Sequence, residues 1–99
     1  MLFKPKSKSE SMDTLCQAIL QLKTVEECYR FLEDLCTMDE LKKLSHRIDV
    51  AVLLFHKASY EKIRILRNAS TTTIGRVNKS LKYGADGYKT VFFRMKDKF

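Results

Sequence analysis

The chain has no tryptophan, one proline and three glycines among its 99 residues. Few residues therefore interrupt secondary structure, and with 44% hydrophobic residues this composition argues against a disordered or all-β chain and favours a helical globular domain. No apolar run approaches the roughly 20 residues that span a bilayer. The start of the chain, MLFKPKSKS, also lacks the apolar block of a secretory signal. These absences predict a cytoplasmic protein that does not associate with membranes.

Cysteine is scarce, and its spacing matches no metal-binding motif. Cys16, Cys28 and Cys36 are odd in number and lie on the apolar faces of predicted helices. A zinc site that combines these thiols with His46 or His56 is an alternative, but neither Cys-x₂-Cys nor His-x₃-His spacing occurs. We interpret the cysteines as reduced packing residues, and we predict neither a metal nor any other cofactor.

Charge is distributed unevenly along the chain, whose formal net charge is +7. Residues 1–9 carry +3, residues 10–56 carry −4 and residues 57–99 carry +8. A concentrated basic region is typical of a protein that binds a polyanion, because its cations neutralise phosphates and release counterions. The alternative is that the excess charge only keeps a small protein soluble. We favour the polyanion, and we predict a flexible basic tail over 1–9 and a single helical domain over 10–99.

Apolar residues recur at helical spacing and predict about six helices with no convincing strand. Thr24 and Thr37 each begin a capping box, S/T-x-x-E, that opens a helix. The helix after Thr37 is the longest, and its predicted core face is Leu41, Leu44, Ile48, Ala51, Val52 and Phe55, with Val50, Leu53 and Leu54 partly off it. The helices together bring more apolar surface than one small core needs, which favours a homodimer over the alternative of a compact monomer.

The segment 59–82 has the pattern of two short helices that meet at a tight corner. Ser59 and Ser70 are suited to cap the two helices. Asn68 stands between them, and asparagine is one of the few residues with a Cβ that enters the left-handed region cheaply. This arrangement is typical of a helix-turn-helix, whose second helix enters the major groove of double-stranded DNA. The alternative is an ordinary αα-hairpin that packs only for stability.

The second of these helices has one apolar side and one polar side. Ile74 and Val77 are predicted to point into the core, so the opposite side is available for DNA. Gly84 is predicted to end the helix as a left-handed C-cap.

Two longer motifs in fixed order are similar to a known family. LCTMDELKKLSHRIDVAVLL at 35–54 and ASTTTIGRVNKSLKYGADGYK at 69–89 resemble the Trp-repressor superfamily, and in particular its YerC/YecD-type Trp-repressor-like branch. The resemblance runs over about 16–94, nearly the whole chain. It implies an all-α, six-helix Trp-repressor-like fold and an intertwined homodimer with two helix-turn-helix heads. It also implies a sequence-specific DNA-binding transcriptional regulator.

The resemblance also indicates which side chains face DNA. Residues matching its base-proximal positions are Thr71, Thr72 and Gly75, and Ser70 caps the same helix end, where backbone N–H groups can meet a phosphate. We therefore predict that the base-contacting residues are Ser70, Thr71, Thr72 and Gly75. The predicted phosphate-contacting residues are Lys57, Lys62, Arg64, Arg67, Lys79 and Lys82.

Positions that hold tryptophan in the Trp repressor are occupied here by Thr37, Arg47, Arg76 and Ser80, as the resemblance aligns them. The residue after the second arginine is a glycine beside the indole in the repressor, but it is Val77 here, whose branched side chain would project into the ligand space. We therefore predict a vestigial pocket and no tryptophan corepressor, and the sequence leaves open whether another small molecule acts as an effector.

Two other functions fit parts of the pattern. A small helical dimeric enzyme similar to a chorismate mutase would use Arg47, Arg76 and Lys43 to bind an anionic metabolite. The longest helix offers no well-placed catalytic acid for it, so we predict that the chain is not an enzyme. A basic adaptor that binds another protein is the remaining alternative.

Overall fold

The structure is a computed structural model that describes residues 2–96. The described chain contains six α-helices and no strand. They are α1 (Glu10–Ile19), α2 (Val25–Leu35), α3 (Met38–Phe55), α4 (Tyr60–Arg67), α5 (Thr71–Tyr83) and α6 (Gly87–Met95). The prediction of an all-α, six-helix fold is confirmed. Within residues 2–96, no helix is both long enough and apolar enough to cross a membrane.

The chain divides into two compact units, Met1–Thr37 and Met38–Phe99. In the first unit, the hydroxyl of Ser9 accepts a hydrogen bond from the Met12 N–H at 3.0 Å and begins α1. The first unit also contains α2, and neither helix has a buried side chain. Its apolar faces are therefore only partly covered within the unit.

The capping box at the start of α2 forms with one change. Thr24 Oγ1 accepts a hydrogen bond from the Glu27 N–H at 3.0 Å, as the motif predicts. The Glu27 carboxylate reaches one residue further back than the motif requires, and accepts the Lys23 N–H at 2.8 Å. The first bond satisfies a backbone donor that the first turn of a helix leaves unpaired, and the second satisfies the N–H of the residue before the cap.

The second unit contains α3 to α6 and the whole of the buried core. α3 packs against α4 and α5, and α6 packs against α5. The ring of Phe92 is fully buried, and its centroid lies 5.3 Å from that of Phe55 and 5.8 Å from that of Tyr88. The buried side chains are Val50, Ala51, Ile63, Ala69, Ile74, Val77, Leu81 and Phe92.

The predicted core face of α3 is wrong in part. Leu44 and Ile48 were assigned to the core, but they remain 44% and 43% exposed. Val50 was placed partly off the face, yet it is completely buried. The cause is that the core residues of α3 all lie in its C-terminal half, where Val52 to Phe55 also pack against the cluster. Periodicity identifies an apolar stripe, but not the part of the stripe that a neighbouring helix covers.

The prediction of a left-handed Gly84 is also wrong. Gly84 ends α5 with φ −85°, and its N–H donates to the Ser80 carbonyl at 3.0 Å. A Cβ at this position would lie 2.3 Å from the same carbonyl oxygen, so glycine is required by close approach to the helix end. The residues with positive φ are Lys57, Asn68 and Asp86, of which the sequence indicated Asn68.

Candidate nucleic-acid interface

The corner between α4 and α5 has the geometry that its sequence predicts. The Ser59 hydroxyl caps α4 by accepting the Lys62 N–H at 3.1 Å. Asn68 ends the helix in the left-handed region, with φ 50° and ψ 39°. Ser70 Oγ then accepts the Thr73 N–H at 3.1 Å and begins α5. Asn68 and Ser70 turn the chain within residues 68–70, between the two helices, so the helix-turn-helix pattern is present.

Helix α5 is clearly two-sided. Ile74, Val77 and Leu81 are buried at helical spacing and fix its inner side in the core. Thr71 and Thr72 are exposed in the first turn. α5 contains no acidic residue, so its exposed side carries cations without an opposing carboxylate of its own.

The four predicted base-contacting residues lie together at the N-terminal part of α5. Thr71 and Thr72 present exposed hydroxyl and methyl groups. Gly75 has no heavy atom within 4 Å of the position where a Cβ would stand, so its Cα faces open space. Ser70 is exposed, but its hydroxyl bonds both the N–H and the Oγ1 of Thr73. The side chain of Ser70 is therefore committed to the cap.

The predicted phosphate-contacting residues divide into two groups. Arg67 Nε lies 3.8 Å from Asp49 Oδ2, and its Nη1 donates to the Leu66 carbonyl at 3.3 Å. Its guanidinium is therefore held between α3 and the end of α4. The other predicted phosphate-contacting residues are also exposed, and they are Lys57, Lys62, Arg64, Lys79 and Lys82.

Comparison with known proteins gives the family. The model of the family described as Trp repressor protein matches residues 10–96. The chain belongs to the Trp repressor family. It is 44% identical over 92 residues to the uncharacterised protein YerC of Bacillus subtilis (strain 168), with 93% of this chain and 88% of YerC covered. The predicted YerC-type resemblance is confirmed.

Solved structures of this Trp repressor family agree with the fold. A TrpR-like protein from Eubacterium eligens ATCC 27750 is 47% identical, with a TM-score of 0.86 over 92% of this chain and 94% of that one. A protein from Staphylococcus aureus, described as a proposed Trp repressor, is 42% identical, with a TM-score of 0.85 over 92% of this chain and 91% of that one. The six-helix fold is therefore that of TrpR-like proteins.

The four residues that the resemblance aligns with tryptophan contacts stay a prediction. Thr37 lies in the first unit, whereas Arg47, Arg76 and Ser80 are exposed on helices of the second. Val77 is 4% exposed and belongs to the core cluster, and its effect on a ligand stays a prediction. Its side chain therefore packs against the protein itself.

The cysteines and potential metal ligands give no further site within residues 2–96. All three thiols are free, and no group of three or more His, Cys, Asp or Glu side chains is placed to hold a metal. Cys28 and Cys36 are half-buried, in keeping with packing. Cys16 is exposed, so the packing role predicted for it is not seen in its unit.

The sequence did not predict a polar contact between α4 and α5. Asn78 Nδ2 donates to Tyr60 Oη at 3.0 Å. The two residues are eighteen positions apart, so no local pattern joins them. One signal was available: Asn78 follows Ile74 by four residues and therefore lies one turn along from a buried side chain.

Proposed function

We propose that the protein is a sequence-specific DNA-binding transcription regulator that acts as a homodimer through α4 and α5. The observation that carries this proposal is the orientation of α5. Its inner side is fixed in the core by Ile74, Val77 and Leu81, and this leaves its capped N-terminus and an acid-free cationic side outward. A helix presented in this way has the features required for entry into the major groove. A DNA-binding regulator must share a compartment with the DNA. We therefore propose the cytoplasm as its location, as the sequence predicts.

The two classes of DNA contact have different roles in this proposal. Thr71 and Thr72 supply hydroxyl groups for base edges and methyl groups for thymine. The exposed lysines and Arg64 contact phosphates and set the register of the protein on the duplex. Arg67 is assigned to the bracing of the corner, because Asp49 already partly neutralises it.

The homodimer is supported by apolar side chains that a single chain leaves exposed. Tyr29 in α2 is 65% exposed, although α2 has a strongly apolar face. In α6, Val91 and Phe93 are also exposed next to the buried Phe92. Covering these faces in a second copy would remove them from water. It would also place two recognition helices on one duplex, about 34 Å apart in the general geometry of such dimers.

Sedimentation tests the dimer. We expect the wild-type chain to sediment with about twice its 11.6 kDa mass. Tyr29→Lys places a charge on the face that we propose to be covered, and is expected to shift the mass toward the monomer. Tyr83→Lys makes the same change at a residue 82% exposed at the end of α5, and should leave the dimer intact. A wild-type chain that stays monomeric at micromolar concentration would refute the dimer.

Selection from a pool of random duplexes, followed by binding titrations, tests DNA recognition. Thr72→Ala is expected to change base preference at one position in each half-site, by about 1 kcal/mol. Lys79→Ala should weaken binding to all duplexes alike. It should also reduce the slope of log affinity against log salt by about 0.9 per phosphate contact, or about 1.8 in a dimer.

The control for these titrations is Lys43→Ala. Lys43 lies on α3 with its Nζ 3.1 Å from Asp39 Oδ2, and its removal should leave binding unchanged. If no duplex is enriched above the random pool, the proposal of sequence-specific recognition fails.

An enzymatic function receives less support. The family and the fold are those of TrpR-like regulators. Among the three residues suggested for an anionic metabolite, Lys43 is already paired with Asp39 on its own helix. Arg47 and Arg76 are both exposed rather than enclosed in a pocket. Their exposure therefore does not favour a metabolite over the phosphates of DNA.

A further inference from the structure

The hydrogen bond between Tyr60 and Asn78 links the two helices of the helix-turn-helix. Tyr60 is the first residue of α4, and Asn78 lies in the middle of α5. The distance of 3.0 Å from Asn78 Nδ2 to Tyr60 Oη is that of a well-formed hydrogen bond. The bond therefore joins the start of the bracing helix to the recognition helix across the corner.

Apolar packing determines which side of α5 faces the core, and a hydrogen bond adds an angular constraint to it. Ile74, Val77 and Leu81 share a core cluster with Ile63 of α4. The hydrophobic contribution to this packing is non-directional, so it does not by itself select one exact rotation. A hydrogen bond weakens steeply away from its preferred angle. Asn78 is next to Val77, at the border of the buried stripe, where a directional bond opposes rotation.

We propose that Tyr60 and Asn78 are positioning residues, whose hydrogen bond sets the rotation of α5 and thereby the approach of Thr71 and Thr72 to base edges. The inference rests on the proposed DNA-binding function of α5. A binding site must be held within about 0.5 Å and 10–20° of its productive geometry. A modest rotation of α5 is therefore enough to misplace the base contacts, while long lysine side chains still reach phosphates.

Tyr60→Phe removes only the hydroxyl and gives the most direct test. We expect binding of the selected duplex to weaken by about three- to tenfold, because the bond favours the competent orientation by no more than its own net strength. Binding of a random duplex and the slope of log affinity against log salt are expected to stay unchanged. Tyr83→Phe removes a hydroxyl from an exposed tyrosine at the end of α5 and is the matched control.

A double-mutant cycle tests whether the two residues act as a pair. Asn78→Ala should weaken specific binding as Tyr60→Phe does, and the double variant should be no weaker than either single variant. Additive losses would overturn the proposal. So would an Asn78→Ala variant that weakens selected and random duplexes together and flattens the salt slope, because Asn78 would then contact a phosphate.

A purely structural role and a failure of the proposed function have their own signatures. If Tyr60→Phe lowers the melting temperature but leaves the ratio of specific to random binding unchanged, the pair is structural and the proposal is wrong. If the wild type prefers no duplex, the proposed function fails, and amide hydrogen exchange of α5 in the free protein then decides about the pair. If Tyr60→Phe and Asn78→Ala accelerate exchange of the α5 amides equally, and the double variant exchanges no faster than either, the coupling of the pair is retained. If their effects are independent, the coupling is rejected.

Discussion

Raising the salt concentration from 50 to 200 mM is expected to weaken binding to a selected duplex by about 10³- to 10⁵-fold. Each lysine or arginine that contacts a phosphate displaces condensed counterions, and added salt opposes their release. The five exposed cations that we assign to phosphates give up to ten contacts in a dimer, which corresponds to a slope of about −9 in log affinity against log salt. They are Lys57, Lys62, Arg64, Lys79 and Lys82.

Fluorescence anisotropy of a labelled duplex at five or more salt concentrations measures this slope. Arg30→Ala is the control, since Arg30 lies on α2 with its Nε 3.0 Å from Glu26 Oε2. Arg67→Ala should also leave the slope unchanged, because Asp49 holds its guanidinium at the corner. A slope close to zero for the wild type would show that phosphates are not the partner of the basic region.

The parts of the site that the sequence predicted correctly depend on local chemistry. Ser59 and Ser70 cap helices through bonds to residues three positions on, and Asn68 enters the left-handed region through its own backbone preference. These outcomes require no knowledge of distant contacts. Helices, caps and the corner of the helix-turn-helix were therefore accessible from residue spacing alone.

The features that the sequence did not predict depend on which segments meet in space. The burial of Val50 and the exposure of Leu44 follow from where α4 to α6 cover α3. The bond between Tyr60 and Asn78 and the ion pair between Arg67 and Asp49 also join separate helices. Whether Arg67 contacts a phosphate or braces the corner therefore could not be decided from its charge.

Two glycines of the helix-turn-helix and its end, Gly75 and Gly84, are expected to respond to alanine in opposite directions. In Gly84→Ala, the new Cβ would lie 2.3 Å from the Ser80 carbonyl oxygen, so the end of α5 must shift. We expect a loss of about 1 to 3 kcal/mol in the free energy of unfolding, as for other overpacked sites. In Gly75→Ala, the Cβ meets no atom within 4 Å, and alanine should stabilise the helix by about 1 kcal/mol.

Urea and thermal unfolding at a fixed chain concentration measure both effects, since a dimer's stability depends on concentration. For a chain of this size, each kcal/mol corresponds to roughly 4–8 °C in Tm. The DNA-binding proposal adds a second expectation for Gly75→Ala: greater stability together with weaker binding to the selected duplex, because the added methyl group would stand between α5 and the groove. Undiminished binding by this more stable variant would place Gly75 away from the bases, whereas a destabilised variant would contradict the open space beside its Cα.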